Sequence, residues 1–309
     1  MSSPERTPLV SVGMPVYNGG RYLAEAIESI LQQTLPDLEL VILDNASTDG
    51  TRAIAEGYAS RDPRVRYERN ELNIGVNPNF CRVFRLSRGR YFKWASCNDL
   101  VGREFLELCV AALERDADVI ACFSRTSLFS DRIEAAVPYQ DDLDAVDADA
   151  VKRFDGVLAN MRLNSAVNGV IRADVLRRTA LIPDYIAADV VLVAELSLHG
   201  KIRQLEERIF YRRMNPESAT KLMDADELLQ HYFLRRGVGT FLPEIRQVAG
   251  YFAAALRAPL SMRDRLRLAK RLARIAYWEA LQVGRRLRTG AGFVERRSRA
   301  RPPGDSADG

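Results

Sequence analysis

Short apolar runs that stop at polar turns alternate with stretches of helical spacing along the first two-thirds of the chain. The run Ser11-Val12-Gly13-Met14-Pro15-Val16 ends at Tyr17-Asn18, and 38–43 ends at Asp44-Asn45-Ala46-Ser47-Thr48-Asp49-Gly50-Thr51. Between them Tyr22, Leu23, Ala26, Ile27, Ile30 and Leu31 recur at helical intervals, so the spacing predicts an amphipathic helix over 21–33. Ser47 or Thr48 stands where the next helix needs a cap, with Asp49 in its first turn. A third strand is predicted over 65–68, then a loop over 70–79, too polar and too punctuated by Gly75 and Pro78 to form an element.

Further along, 80–86 reads as a helix, Gly89 breaks it, and the aromatic run 91–95 reads as a strand ending at Ser96-Cys97-Asn98-Asp99. Helix 105–113 and buried strand 119–123 follow. Beyond these, 141–149 is an acidic solvated loop, 165–171 is strand-like and 173–180 helical. A helix opens at Ala188-Asp189 and stops at Gly200. The segment 202–213 is extended, and only helices come after it, broken at Gly237, Pro243 and Pro259. This rhythm specifies an α/β protein with a mainly parallel sheet. In such sheets ligands bind beyond the carboxyl ends of strands, where loops and helix N-termini converge. Ends rich in Asn, Asp, Ser and Thr call for a polar ligand.

Composition narrows the choice. The 309 residues fit one α/β domain with a C-terminal extension, and 47% hydrophobic with 28% charged content is globular. No GxGxxG or GxxxxGK[ST] occurs, so nicotinamide and P-loop chemistry lose their main support. Two histidines, His199 and His231, are too few and too isolated for a zinc site or a Ser-His-Asp triad. Cys81, Cys97, Cys109 and Cys122 lack CxxC spacing and read as reduced thiols of a cytoplasmic protein. Residues 1–8 lack the apolar core of a signal peptide, and the best apolar run, 248–256, is too short for a bilayer. Net charge is +4, with Arg and Lys concentrated in 257–301, but no nucleic-acid recognition motif accompanies them.

Pro15-Val16-Tyr17-Asn18, Asp44 to Thr51, Asn73-x-Gly75 and Gly89-Arg90-Tyr91, in this order, resemble the family 2 glycosyltransferases over roughly 9–220. The resemblance implies the GT-A fold, a Rossmann-like, mixed but mainly parallel sheet flanked by helices. It divides the chain into a loose 1–8, a domain 9–220 with a nucleotide half (9–100) and an acceptor half (101–220), a helical extension 221–290, and a basic, then flexible, tail 291–309. It also implies an inverting transfer from a nucleotide-diphospho-sugar, UDP- or dTDP-linked, to a glycan, lipid-linked or other envelope acceptor.

On that resemblance, the donor contacts fall on Pro15, Tyr17, Asn18, Asp44, Asn45, Ser47, Asn73, Gly75, Ser96, Asn98 and Arg213. Tyr17 suits the flank of a base, and Asp44 suits acceptance from a uracil-like N–H or a ribose hydroxyl. The family's Asp-x-Asp metal motif is replaced by Ser96-Cys97-Asn98-Asp99, which implies a weakened Mg²⁺ or Mn²⁺ site of Asp99, Asn98 and Asn215. Asn215 stands where a His often follows the Tyr-Arg-Arg segment, and Arg212 or Arg213 is the alternative partner for diphosphate. Asp116-Ala117-Asp118 and Asp147-Ala148-Asp149 match Asp-x-Asp literally but lie away from the carboxyl edge. Asp189 is the expected catalytic base, with Asp184 second, and Lys93, Trp94 and 131–149 are candidates for the acceptor pocket. The neutralised metal positions leave open a nucleotide-sugar-binding protein with weakened or lost turnover. The basic amphipathic stretch 260–287 fits either an anionic membrane surface at the inner face or packing against the domain.

Overall fold

The computed structural model describes residues 7–140, 143–214 and 243–289. Strands β1 (Val10–Val16), β2 (Leu38–Asp44), β3 (Val65–Arg69) and β4 (Tyr91–Trp94) form a parallel half-sheet in the order β3-β2-β1-β4. A mixed half continues from it. β8 (Val170–Arg172) runs antiparallel to β4 and to β6 (Val119–Phe129), and β9 (Lys201–Arg213) runs parallel to β6. β5 (Leu100–Val101) closes the far edge on β9, and β7 (Val137–Pro138) pairs back onto β6.

Alternation along the strands sorts side chains onto two faces. Val10, Val12, Met14 and Val16 of β1 pack with Leu23, Ile27 and Ile30 of α1 (Leu23–Leu31) and with Phe105 and Leu106 of α4 (Phe105–Arg115). α2 (Thr51–Ala59) adds Ala55 to this face. Val41, Leu43, Phe92 and Trp94 face the other way, against α3 (Val76–Leu86), α5 (Ala150–Asn160) and α7 (Ala188–His199). α6 (Ala173–Leu176) closes the end of this layer. Pro15 is tolerated in a central strand because the β4 partners stop at Gly13, so its missing N–H falls where no ladder bond is needed.

The structure departs from the sequence expectations at several points. The polar stretch 70–79 is not all loop: α3 starts at Val76, after Gly75 at φ 93°. Pro78 sits in its first turn, where a missing N–H costs nothing, and Asn77 and Asn79 are buried with their amides bonded. The run 165–171 is a 3₁₀ turn at Ser165–Asn168 followed by the three residues of β8. β6 runs on to Phe129, well past the expected 123. Ser47 and Thr48 do not cap α2; Asp49 Oδ1 accepts from Thr51 N at 3.0 Å instead.

The C-terminal helices α8 (Pro243–Arg257) and α9 (Met262–Thr289) pack onto the domain through one face. Tyr251 meets Phe154 edge-on at 5.6 Å, and Leu268 and Leu272 are fully buried. Arg257 reaches Glu195 of α7 at 2.7 Å, Arg267 reaches Asp149 at 2.7 Å and Arg271 reaches Asp155 at 2.7 Å. Glu195 is 1% exposed, and a carboxylate so placed needs a cation and hydrogen bonds to stay ionised. No helix among the described residues is long and apolar enough to cross a membrane.

Candidate active site

Register carries the ends of β1 and β2 side by side, Val16 opposite Asp44. The two turns beyond them are sewn together. Ser47 Oγ accepts from Asn18 N at 2.9 Å, Asn18 Oδ1 accepts from Thr48 N at 2.9 Å, Thr51 Oγ1 accepts from Gly19 N at 2.9 Å, and Asp49 Oδ2 accepts from Gly20 N at 2.9 Å. Asn18 manages this at φ 50°, a conformation that its short polar side chain tolerates. A Cβ on Gly19 would lie 2.8 Å from Cys97 Sγ, so the first turn also closes on the third strand end. Tyr17, half exposed, stands at the lip.

Beneath the lip the second strand end is densely hydrogen-bonded. Asp44 has no exposed surface; its carboxylate accepts from Ser47 N at 2.8 Å and Tyr67 Oη at 2.8 Å, with Arg69 Nε at 3.3 Å. Burial and that carboxylate together push the Tyr67 phenol well above its ordinary value. Asn45 Oδ1 accepts from Asn70 Nδ2 and Ile74 N, and its amide donates to Asn73 Oδ1 at 2.7 Å and to Gly75 O at 3.2 Å. Asn70 donates onward to Asn79 Oδ1, and Asn77 donates to Pro183 O and Tyr185 O. These amides tie the turn after β2 to α3 and to the loop that leads into α7. Asn70, Asn77 and Asn79 were not among the expected site residues.

The third strand end turns on Asp99. Its Oδ1 accepts from Arg213 N at 3.0 Å, Ser96 Oγ accepts from Asn98 N at 3.2 Å, and burial raises the Asp99 carboxyl above the usual carboxylate range. The Cys97 thiol is pushed up to about 12 by the same burial and is no nucleophile at neutral pH. Arg213 does not present a free guanidinium to diphosphate, as one expectation had it. Its Nε donates to Asn98 O at 3.0 Å, Nη1 to Ser130 O at 2.9 Å and Nη2 to Glu25 at 2.5 Å, between the rings of Tyr22 and Phe129. Each guanidinium nitrogen is thus committed to protein. Arg212, half-buried, donates from Nη1 to Leu163 O.

Leu163 leads into Asn164, at φ 50°, whose Nδ2 donates to Asp189 Oδ2 at 2.8 Å. Asn164 was not foreseen, and a lone Asn leaves no pattern that marks it. Asp189 lies in the first turn of α7 without capping it, and Asp184 is exposed in the preceding loop. A path of bonds therefore joins Asp99 to Asp189 through Arg213, Arg212, Leu163 and Asn164.

Other candidates fall outside this constellation. Trp94 and Lys93 are buried core residues: Trp94 Nε1 donates to Phe80 O, and Lys93 Nζ donates to Trp94 O and Asn168 O beneath the rings of Phe105 and Phe210, where Lys93 borders a small internal pocket shared with Ser96 and Asp99. Asp116 and Asp118 pair with Lys201, Asp147 pairs with Lys152, and Asp149 caps α5, which accounts for both literal Asp-x-Asp motifs. Asn215 lies outside the described residues. Among the described residues no three His, Cys, Asp or Glu side chains are grouped for metal binding. The donor set at the third strand end is one carboxylate beside one amide, which suits a hard cation that takes its other ligands from phosphate oxygens and water.

The fold and these strand ends match known proteins. Residues 11–178 match the model of glycosyl transferase family 2, and the chain belongs to that family. It is 35% identical over 128 residues to a chondroitin synthase of Escherichia coli, an alignment covering 41% of this chain and 18% of that protein. The chain spans less than two-fifths of the length of the curated relatives it matches first. Among solved structures, S. aureus TarS 1–349 in complex with UDP superposes at a TM-score of 0.61 with 17% identity, covering 84% of this chain and 69% of that one. The mannosyltransferase PcManGT of Pyrobaculum calidifontis, in complex with GDP-Man and Mn²⁺, superposes at 0.52 with 18% identity, covering 90% and 85%. The architecture is the GT-A fold.

Proposed function

We propose that this chain transfers a sugar, with inversion at the anomeric carbon, from a UDP- or dTDP-linked donor to a hydroxyl of a glycan, lipid-linked or other envelope acceptor. The observation that carries this reading is the Asp189 carboxylate, held by Asn164 at 2.8 Å and bonded stepwise to the strand end that bears Asp99. Asp189 takes the proton of the acceptor hydroxyl as its oxygen attacks the anomeric carbon, opposite the departing diphosphate. Tyr17 flanks the base, and the Asn18–Ser47 and Asn45–Asn73 contacts fix the turns that receive the nucleoside. Asp44 acts through the turn it holds. Arg212 offers positive charge to the diphosphate, and Arg213 positions the Asn98–Asp99 turn. Asp99 and Asn98 would hold a divalent cation, which would supply charge to the leaving group.

The test is nucleoside diphosphate release from a panel of UDP-, dTDP- and GDP-sugars with an envelope extract as acceptor, with and without Mn²⁺. Release with one donor class supports the reading. Donor binding without release under every condition contradicts it and favours a binding protein that has lost turnover.

Contact with the inner face of an anionic membrane belongs to the same proposal. Leu256, Met262 and Leu266 remain exposed on α8 and α9, beside the basic residues of α9. Co-sedimentation with anionic vesicles that falls several-fold on Leu256→Glu plus Leu266→Glu is the expected result; equal binding rejects membrane contact through this face.

A further inference from the structure

The amino-terminal edge of the same sheet carries a second polar cleft, of about 770 Å³, far from the strand ends described above. It forms where β4, β6 and β9 begin and β8 ends. Ile120, on its wall, is nine residues along β6 from Phe129, which packs on Arg213. At the rise of a strand that separates the two sites by roughly 30 Å.

The lining is one-sided in charge. Arg90, Arg153, Arg172, Arg177, Arg178 and Lys201 stand against Asp118 and Asp174. Two of the arginines are built into the wall by neutral protein acceptors, which do not cancel their charge: Arg172 donates from all three nitrogens, to Val119 O, Tyr91 Oη and Leu113 O, and Arg153 donates to Ser197 O, Asp147 O and Ala148 O. The Arg90–Glu114 and Arg178–Asp174 pairs are solvated and Lys201 bridges Asp116 and Asp118, so the excess positive charge of the cleft rests on Arg153, Arg172 and Arg177. The Arg177 side chain has no partner among the described residues, and it is exposed at the rim.

His199 also lines the cleft; both of its ring nitrogens are buried and have no partner among the described residues. Burial holds its imidazole below the ordinary value, so at neutral pH it brings one donor and one acceptor. A concave cleft lined mainly by one sign of charge focuses its field on an entering ion. An uncommitted guanidinium fork such as that of Arg177 matches phosphate oxygens in pairs, and this volume holds a ligand of nucleotide size.

We propose that this cleft is a second ligand site, separate from the donor site, for a small phosphate-bearing molecule. Arg177 and Arg178 capture it at the rim, and Arg153 and Arg172 add fixed positive charge to the wall deeper in, beside the His199 ring. With only two histidines in the chain, the His199 imidazole is a local reporter, assigned by comparison with His231→Gln.

Inorganic pyrophosphate is titrated into the full chain at low salt while the imidazole ¹H–¹⁵N signals are followed. The His199 signal is expected to shift saturably, and Arg177→Glu plus Arg178→Glu, both exposed and absent from the core, is expected to weaken the apparent affinity at least tenfold. An unmoved His199 signal overturns the proposal, as does equal affinity in the double variant. Citrate that binds as tightly as pyrophosphate overturns the phosphate assignment.

Discussion

The Asn164 amide donates to the Asp189 carboxylate across 2.8 Å, linking a left-handed residue in one loop to the first turn of α7 in another. If Asp189 is the base, this bond sets the direction from which it meets the acceptor hydroxyl. Asn164→Gly keeps the positive φ without strain and removes only the amide. Its turnover is expected to fall about 10- to 100-fold with donor affinity unchanged, the cost of a misdirected group. Asn164→Asp, which sets a second carboxylate beside the first, is expected to fall further and to shift the acidic limb of the pH–rate profile upward. Unchanged turnover in both variants removes Asn164 from the mechanism.

Arg213 has a structural claim that activity alone does not reveal. Its side chain is 1% exposed and joins α1, the Asn98–Asp99 turn and the end of β6. Arg213→Met leaves buried carbonyls unpaired, so about 3–5 kcal/mol of stability is expected to be lost in denaturant unfolding. Arg213→Lys is expected to rescue little, because one ammonium cannot reproduce the fork.

The turn after β2 holds Ala46 at φ 63°. An alanine there carries strain that glycine does not, so Ala46→Gly is expected to stabilise the protein by about 1 kcal/mol, despite glycine's greater freedom when unfolded. The check is the urea midpoint at constant slope. A lower midpoint shows that the turn is not strained.

How much of this was legible in the chain depends on how far apart the partners lie. The strand ends at Asn18, Asp44 and Asp99 announced themselves because an apolar run beside a polar turn is a local signal. The start of α3 did not, because Asn77 looks like loop chemistry until its amide meets Pro183 and Tyr185, more than a hundred residues away. Arg213 read as a phosphate donor for the same reason: Glu25, Asn98 and Ser130 meet it only in three dimensions. β5 is two residues long and exists only because β9 pairs with it.

Lys93 makes stability depend on alkaline pH. Burial lowers its ammonium to about 8, from the ordinary 10.5. Between those values the unfolded chain holds a proton that the folded chain has released, so stability rises with pH from about 8 to 10.5. The gain is on the order of 3 kcal/mol. Glu39 contributes in acid. Burial alone raises its carboxyl, but hydrogen bonds from Ser11, Arg88 N and Arg66 outweigh that and hold it below 4.5. Its contribution is present above 4.5 and is lost as pH falls through the lowered value. Urea unfolding from pH 3 to 10.5 checks both limbs, and Lys93→Met is expected to abolish the alkaline one alone.

The most direct test compares Asp189→Asn with the parent chain on the donor that supports release. Donor affinity, measured by calorimetry, is expected to stay within about twofold, while nucleoside diphosphate release with acceptor falls by 10²- to 10⁴-fold, the range for losing a general base. Release by Asp189→Asn at the parent rate contradicts the assignment of the base and, with it, the proposed route of transfer.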